Sequence, residues 1–314
     1  MFAVGCVVIS LDAELGWGFH DLESPPSTRV ESGRRGWSTL LSLFESFDVS
    51  ATWAVVGHLF LDRCDGAHAD HPSPPEWFHR ERTVWNDRPD LRFGPDLIQA
   101  ICDSPVDHEI GCHGFSHALF GEPATTRSIA RAECDRSLEL ADDWGLSMET
   151  FVFPRNSVGH RDVLAETGFR TYRGPTPIPD GSRAVLGSLV SGRSLLVEPT
   201  VDEYGLVNVP ASTFAFGFEG RARSVAETVW ADPMVVQARR GIDEAVDGDG
   251  VFHLWFHPNN LVTDRDDERI RAILSHLATR RDETGLSVET MGSIGRRVSA
   301  ESCVEPTSRP MGDD

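Results

Sequence analysis

The 314 residues carry 49 acidic and 29 basic side chains, a formal charge of -20, and the basic set is entirely arginine. So acidic a surface repels phosphate backbones and anionic membranes, which argues against nucleic acid as a partner. The length suffices for one large α/β domain, and no apolar run is long enough to span a bilayer. Abundant Asp and Glu with Arg in place of Lys is the composition of a halophilic protein, since dense salt screens the self-repulsion. Codon bias in a GC-rich genome is the other source of such a composition. The six cysteines show no C-x-x-C spacing and fall mostly in apolar runs, so buried free thiols are expected. Residues 2–11 are apolar but lack a basic leader and run straight into acidic residues, which predicts a first core strand, not a signal peptide, and a cytoplasmic protein.

In chain order, residues 4–10 form a near-continuous apolar run of the kind buried on both faces. Residues 29–47 then carry Val30, Trp37, Leu40, Leu41, Phe44 and Phe47 at helical spacing. A second strand is predicted over 51–56. Residues 58–95 break the rhythm with Pro72, Pro74, Pro75 and Pro89, which predicts an inserted loop that serves a site, before a short helix over 95–102. The beat resumes with strands at 108–112, 150–154 and 169–173 and helices at 124–144 and 160–167, an alternation that implies parallel strands joined by helical crossovers. Residues 175–210 are rich in Gly, Pro and Ser and resist assignment. A helix near 224–246, a strand at 251–256, an amphipathic helix at 264–284 and a short strand at 287–290 follow, and the tail after Val298 is expected to be disordered. With no internal repeat and no clear linker, one barrel-like α/β domain over 1–298 is the simplest architecture.

Polar residues gather just past several of these strands, where parallel α/β folds place active sites. Asp12 and Glu14 follow the first strand, His113 and His117 the third, Arg155 and Asn156 the fourth, and His257, Asn259 and Asn260 the late one. Asp12 and Glu14 are two residues apart, so an extended backbone presents both carboxylates on one face, although either could instead cap the next segment. His113 and His117 bracket His-Gly-Phe-Ser-His, a spacing that places both imidazoles on one face of a helical turn, within reach of one cation. A carboxylate with two histidines makes an open three-ligand site, as hydrolytic zinc sites do, and a neighbouring carboxylate can take a proton from water. Arg155 is suited to orienting a carboxylate or holding an acyl product, or else to a surface ion pair. His257 is placed to act as a general acid, or else is a satisfied core histidine.

These pieces, in this order, resemble the polysaccharide deacetylase family, the NodB-homology or carbohydrate esterase family 4 domain. Ser10-Leu-Asp12-Ala-Glu14 is similar to the family's first motif, His113-Gly-Phe-Ser-His117 to its H-x-x-x-H motif, Phe151-Val-Phe-Pro-Arg155-Asn156 to its third, and Leu254-Trp-Phe-His257-Pro258 to its late Leu-x-x-His motif. The resemblance implies a single-domain, distorted (β/α) barrel that hydrolyses an N-acetyl amide on a carbohydrate with a divalent metal, zinc foremost. It implies Asp12 as the base, His257 as the acid, Arg155 as a further catalytic residue, and Glu14, His113 and His117 as metal ligands. Trp17, Phe115, Asn156 and Asn259 are the expected substrate contacts, with Trp85 and Trp255 as further aromatics. Nothing in the chain opposes a homo-oligomer.

Two departures stand out. Ala13 occupies the place of the usual second aspartate, so the metal carboxylate comes from Glu14 or is missing. The usual arginine two positions before the proline is Val152 here, and Arg155 follows Pro154 instead. Residues 206–210 take the approximate place of the family's fourth motif. These departures point to the divergent branch that includes peptidoglycan deacetylase-like and allantoinase-like proteins. A cyclic-amide or ureide hydrolase is therefore one alternative, and a barrel that binds glycans without turnover is another.

Overall fold

Strand β1 (Cys6–Ala13) is buried at all eight positions, as its near-continuous apolar run leads one to expect. On one side it pairs in parallel with β9 (Val251–Phe256); on the other its C-terminal half pairs with β2 (Thr52–Val55) and its N-terminal half with β10 (Ser287–Glu289). The sheet continues through β3 (Glu109–Cys112), β4 (Thr150–Val152) and β5 (Thr171–Arg173) to the short strands β7 (Val207–Asn208) and β6 (Thr200–Val201), and β8 (Thr213–Phe214) closes the far edge beyond β9. Among the described strands, every pairing is parallel except β6 with β7. The sheet curls into a distorted (β/α) half-barrel, so the expected fold class stands. The structure, a computed structural model, describes residues 5–19, 22–79, 87–175, 194–217 and 232–304.

Among the described residues, seven helices flank the strands: α1 (Ser27–Phe47), α2 (Pro95–Cys102), α3 (Arg127–Asp143), α4 (Arg161–Thr167), α5 (Pro233–Asp247), α6 (Asp264–Thr284) and α7 (Met291–Val304). Helix α1 buries Val30, Trp37, Leu40 and Phe44, the stripe its spacing predicts, and Trp37 and Phe44 meet Trp53 of β2 at ring separations of 5.1 and 6.0 Å. Among its described residues, the inserted segment holds three single 3-10 turns, Gly57–Phe60, Pro75–Phe78 and Pro89–Leu91.

Three expectations need correction. Helix α7 runs past Val298 into the expected tail, because Met291, Ile294 and Val298 pack on a second apolar cluster with Val8 and Val152; residues 305–314 lie outside the described residues. The helix expected near 224 begins at Pro233, with Asp232 accepting from the Met234 N–H, and residues 218–231 lie outside the described residues. Cys6, Cys112 and Cys134 are buried free thiols, but Cys64 is half-buried and Cys102 exposed.

Candidate active site

The strand register brings the C-terminal ends together: Asp12 lies opposite Ala54, Val55 opposite Cys112, Cys112 opposite Phe151, and Leu11 opposite Phe256. Residues just past those ends therefore share one rim. Asp12, Glu14, His113 and His117 are all buried there, while His257 keeps a fifth of its side chain exposed (20%). Glu14 Oε2 stands 3.2 Å from His117 Nε2 and 3.5 Å from His113 Nε2. His257 Nε2 lies 3.8 Å from both Asp12 Oδ2 and Glu14 Oε1.

The segment from His113 to His117 is not a helical turn. Gly114 and His117 both take left-handed backbone, with φ of +75° and +62°, and tertiary bonds set that path. The Gly57 N–H donates to the Gly114 carbonyl (2.8 Å), and fully buried Glu133 of α3 accepts from the Ser116 N–H (2.8 Å) and from the Ser116 hydroxyl. Leu15, Arg155 and Asn156 also have positive φ. Such strain persists only where the surroundings enforce it, and here it flanks the rim. Gly18 is required by close approach, since a Cβ there would fall 2.1 Å from the Glu14 carboxylate.

Asp12 is gripped by an arginine that the sequence reading passed over. Arg173, the last residue of β5 and fully buried, donates from Nη1 to Asp12 Oδ1 (2.6 Å) and from Nη2 to Oδ2 (2.8 Å). It also donates to Ser10 Oγ (3.1 Å) and Asn156 Oδ1 (3.1 Å), and its guanidinium lies 4.5 Å from the Trp255 ring centroid. Asn208 of β7, inside the stretch that takes the approximate place of the fourth motif, accepts from the Gly174 N–H (2.9 Å) and so pins the backbone beside Arg173. Burial pushes the Asp12 carboxyl up, but Arg173, with His113 and His257, outweighs burial and holds it below its ordinary value. Glu14 is likewise pushed up by burial and brought well below its ordinary value by His257, His113 and His117. Buried His253 in β9, whose Nε2 is 2.8 Å from Ser10 Oγ, is pushed down to about 3 by burial and Arg173, so it stays neutral behind the ion pair.

The other expected residues take different posts. Arg155 is exposed in left-handed backbone, and Asp12 is held from β5 instead. Asn156 supports Arg173, and buried Asn259 donates to Glu14 Oε1 (3.2 Å), so both side chains brace the site itself. Trp17 and Phe115, expected to stack on substrate, are each 2% exposed and sandwich the His58 ring, with centroids 3.9 Å away on either side. An aromatic face that is buried this fully is not open to a sugar ring. Trp85 lies outside the described residues.

The donor set suits a divalent cation. His113 Nδ1 donates to the Val152 carbonyl (2.7 Å), which directs the lone pair of Nε2 into the cluster; that buried Nε2 has no hydrogen-bond partner among the described residues. One donor atom each from Glu14, His113 and His117 lies within 4.8 Å of the others. Two imidazoles and a carboxylate make the three-ligand set of open hydrolytic sites.

No family model matches the chain, and no curated protein does. Solved structures do. A protein from Mycobacterium smegmatis described as a polysaccharide deacetylase aligns over 99% of this chain and 96% of its own with 18% identity and a TM-score of 0.64. One from Pseudomonas aeruginosa PAO1 of the same description aligns over 96% and 92% with 13% identity and a TM-score of 0.62. PuuE allantoinase aligns over 94% and 90% with 14% identity and a TM-score of 0.60. The fold is thus a (β/α) barrel of the NodB-homology type. More particularly, it is the barrel that these deacetylase and allantoinase structures share over nearly the whole chain.

Proposed function

We propose that the chain is a metal-dependent hydrolase that removes an acetyl group from an N-acetylated sugar or glycan precursor. The observation that carries this reading is the convergence of Glu14, His113 and His117 with an Arg173-held Asp12 and with His257 on one rim. Glu14, His113 and His117 would hold the cation, and their chemistry suits zinc. When bound, the cation would polarise the acetyl carbonyl and stabilise charge on its oxygen.

The chain's own groups supply the proton transfers. Asp12, kept ionised by Arg173, takes a proton from the water that attacks the acyl carbon. His257 donates Nδ1–H to Asn260 Oδ1 (3.1 Å), which leaves Nε2 facing the carboxylates and able to hold a proton for the departing amine. The carbon–nitrogen bond breaks as that proton transfers, and acetate and the free amine result. Each transfer contributes on the order of 100- to 10,000-fold.

Acetate release from a panel of N-acetylated sugars tests the reading. Release should stop on chelation and return with Zn(II), and Asp12→Asn should keep its metal yet lose about 100-fold or more of turnover. A cyclic-amide or ureide hydrolase built on the same Asp12 and His257 is the second reading, and the breadth of the match to PuuE allantoinase, 94% of this chain, favours it among the alternatives. Ureide hydrolysis that survives chelation, without acetate release, would replace the first reading by the second. A pure glycan binder would show neither activity.

A further inference from the structure

We infer that the inserted segment carries a second metal site, a zinc held by His58, Cys64 and His68. His58 sits in the turn after β2, and Cys64 and His68 come from the segment beyond it. His58 Nε2 is 3.4 Å from His68 Nε2, and Cys64 Sγ is 3.5 Å from the same nitrogen; all three donor atoms lie within 4.8 Å of one another. Tetrahedral zinc, with bonds of about 2.0–2.1 Å to nitrogen and about 2.3 Å to sulfur, separates its ligand atoms by roughly 3.3–3.6 Å. The two spacings to His68 Nε2 fall in that band.

The surroundings orient the donors for such a role. His58 Nδ1 lies 2.8 Å from the Phe115 carbonyl, which can only accept, so in the neutral ring the lone pair is on Nε2 and points at His68 and Cys64. His113 is anchored to the Val152 carbonyl in the same way at the first site. The Gly66 N–H donates to Cys64 Sγ (3.3 Å), so the sulfur already serves as an acceptor. Two imidazoles and a thiolate select zinc over magnesium or calcium.

The site would tie the insertion to the loop that carries His113 and His117. Phe115 of that loop takes the His58 bond and stacks on its ring, and His71, from the same insertion, reaches Glu133 at 3.3 Å. The second zinc is thus a clamp on the first site's loop, and it stands whether or not the deacetylase reading does.

Cobalt separates the two sites, because only this one offers a thiolate. The full chain reloaded with Co(II) should bind two ions and show a near-ultraviolet thiolate-to-cobalt charge-transfer band. Cys64→Ser should lose the band and one equivalent of zinc, whereas His113→Ala should lose one equivalent and keep the band. Cys102→Ser, which removes an exposed thiol, should leave the band intact. Should Cys64→Ser fail to fold, Cys64→His should retain zinc without the band. A Co(II)-loaded wild type without the band, or a band that survives at Cys64→Ser or Cys64→His, overturns the second site. Unchanged metal content at His113→Ala, with the Cys64-dependent band still present, overturns only the first.

Discussion

Arg173 is where the residue scale carries the most consequence. A buried carboxylate without a partner is costly, and the Asp12–Arg173 pair satisfies both groups with two parallel bonds that a lysine cannot reproduce. Arg173→Lys keeps the charge but loses the fork, and the freed Asp12 carboxylate moves off its aim. Because misplacement of about 1 Å costs on the order of 100-fold, we expect kcat/KM to fall by about that much with metal content unchanged. Arg155→Ala, which alters an exposed side chain, should cost less than about tenfold. Parallel kinetics and elemental analysis of the two variants check this, and a larger loss at Arg155 would return the catalytic arginine to the turn after β4. The rule that found the other site residues, a polar side chain at a strand end, applies equally to Arg173. It went unread because all 29 basic residues are arginine, so one more after Thr171-Tyr172 carried no compositional contrast.

At the scale of elements, the sequence revealed whatever depends on local pattern. β1, β9, α1 and α2 were legible because apolar runs and helical stripes are themselves the cause of those elements. The rim was legible in part for the same reason, since strand ends imply where Asp12, Glu14, His113 and His257 emerge. The path of residues 113–117 was not, because its determinants lie far along the chain: Glu133 on α3 and the turn after β2. A helical turn was the natural reading of the spacing, and distant hydrogen bonds replaced it with a strained loop that still brings both imidazoles to Glu14. The brace can be tested directly. Glu133→Gln preserves shape but replaces a carboxylate that accepts from the Ser116 N–H and hydroxyl and faces His71. Groups that orient metal ligands are worth about 10- to 100-fold in affinity, so zinc binding at the first site should weaken by that factor. Stability should drop by about 1–3 kcal/mol, from a buried bond network left partly unmet. Unchanged zinc affinity by competition with a chelator would show that the loop holds its shape without Glu133.

At the scale of the whole molecule, one electrostatic field acts on two quantities in opposite senses. The formal charge of -20 means an excess of acids over arginines, even though exposed arginines such as Arg88 and Arg127 each hold two acids at 3.0 Å or less. The excess acids repel over longer distances, and raising ionic strength from about 0.1 M to about 1 M shortens the screening length from about 10 Å to about 3 Å. Salt therefore removes the long-range repulsion more fully than the short contacts, and the metal-free protein should melt at a higher temperature in 1 M KCl, by roughly 2–4 °C for each kcal/mol regained. The same negative field draws a divalent cation towards the rim, so screening should weaken zinc affinity over the same range. KCl is the proper salt, because sulfate strengthens apolar burial in any protein. Melting must be followed on chelated protein, since a bound ion adds its own stabilisation to the folded state. A melting temperature that stays flat or falls while zinc affinity drops would mean that the arginine pairs, not the excess acids, dominate the stability of the fold.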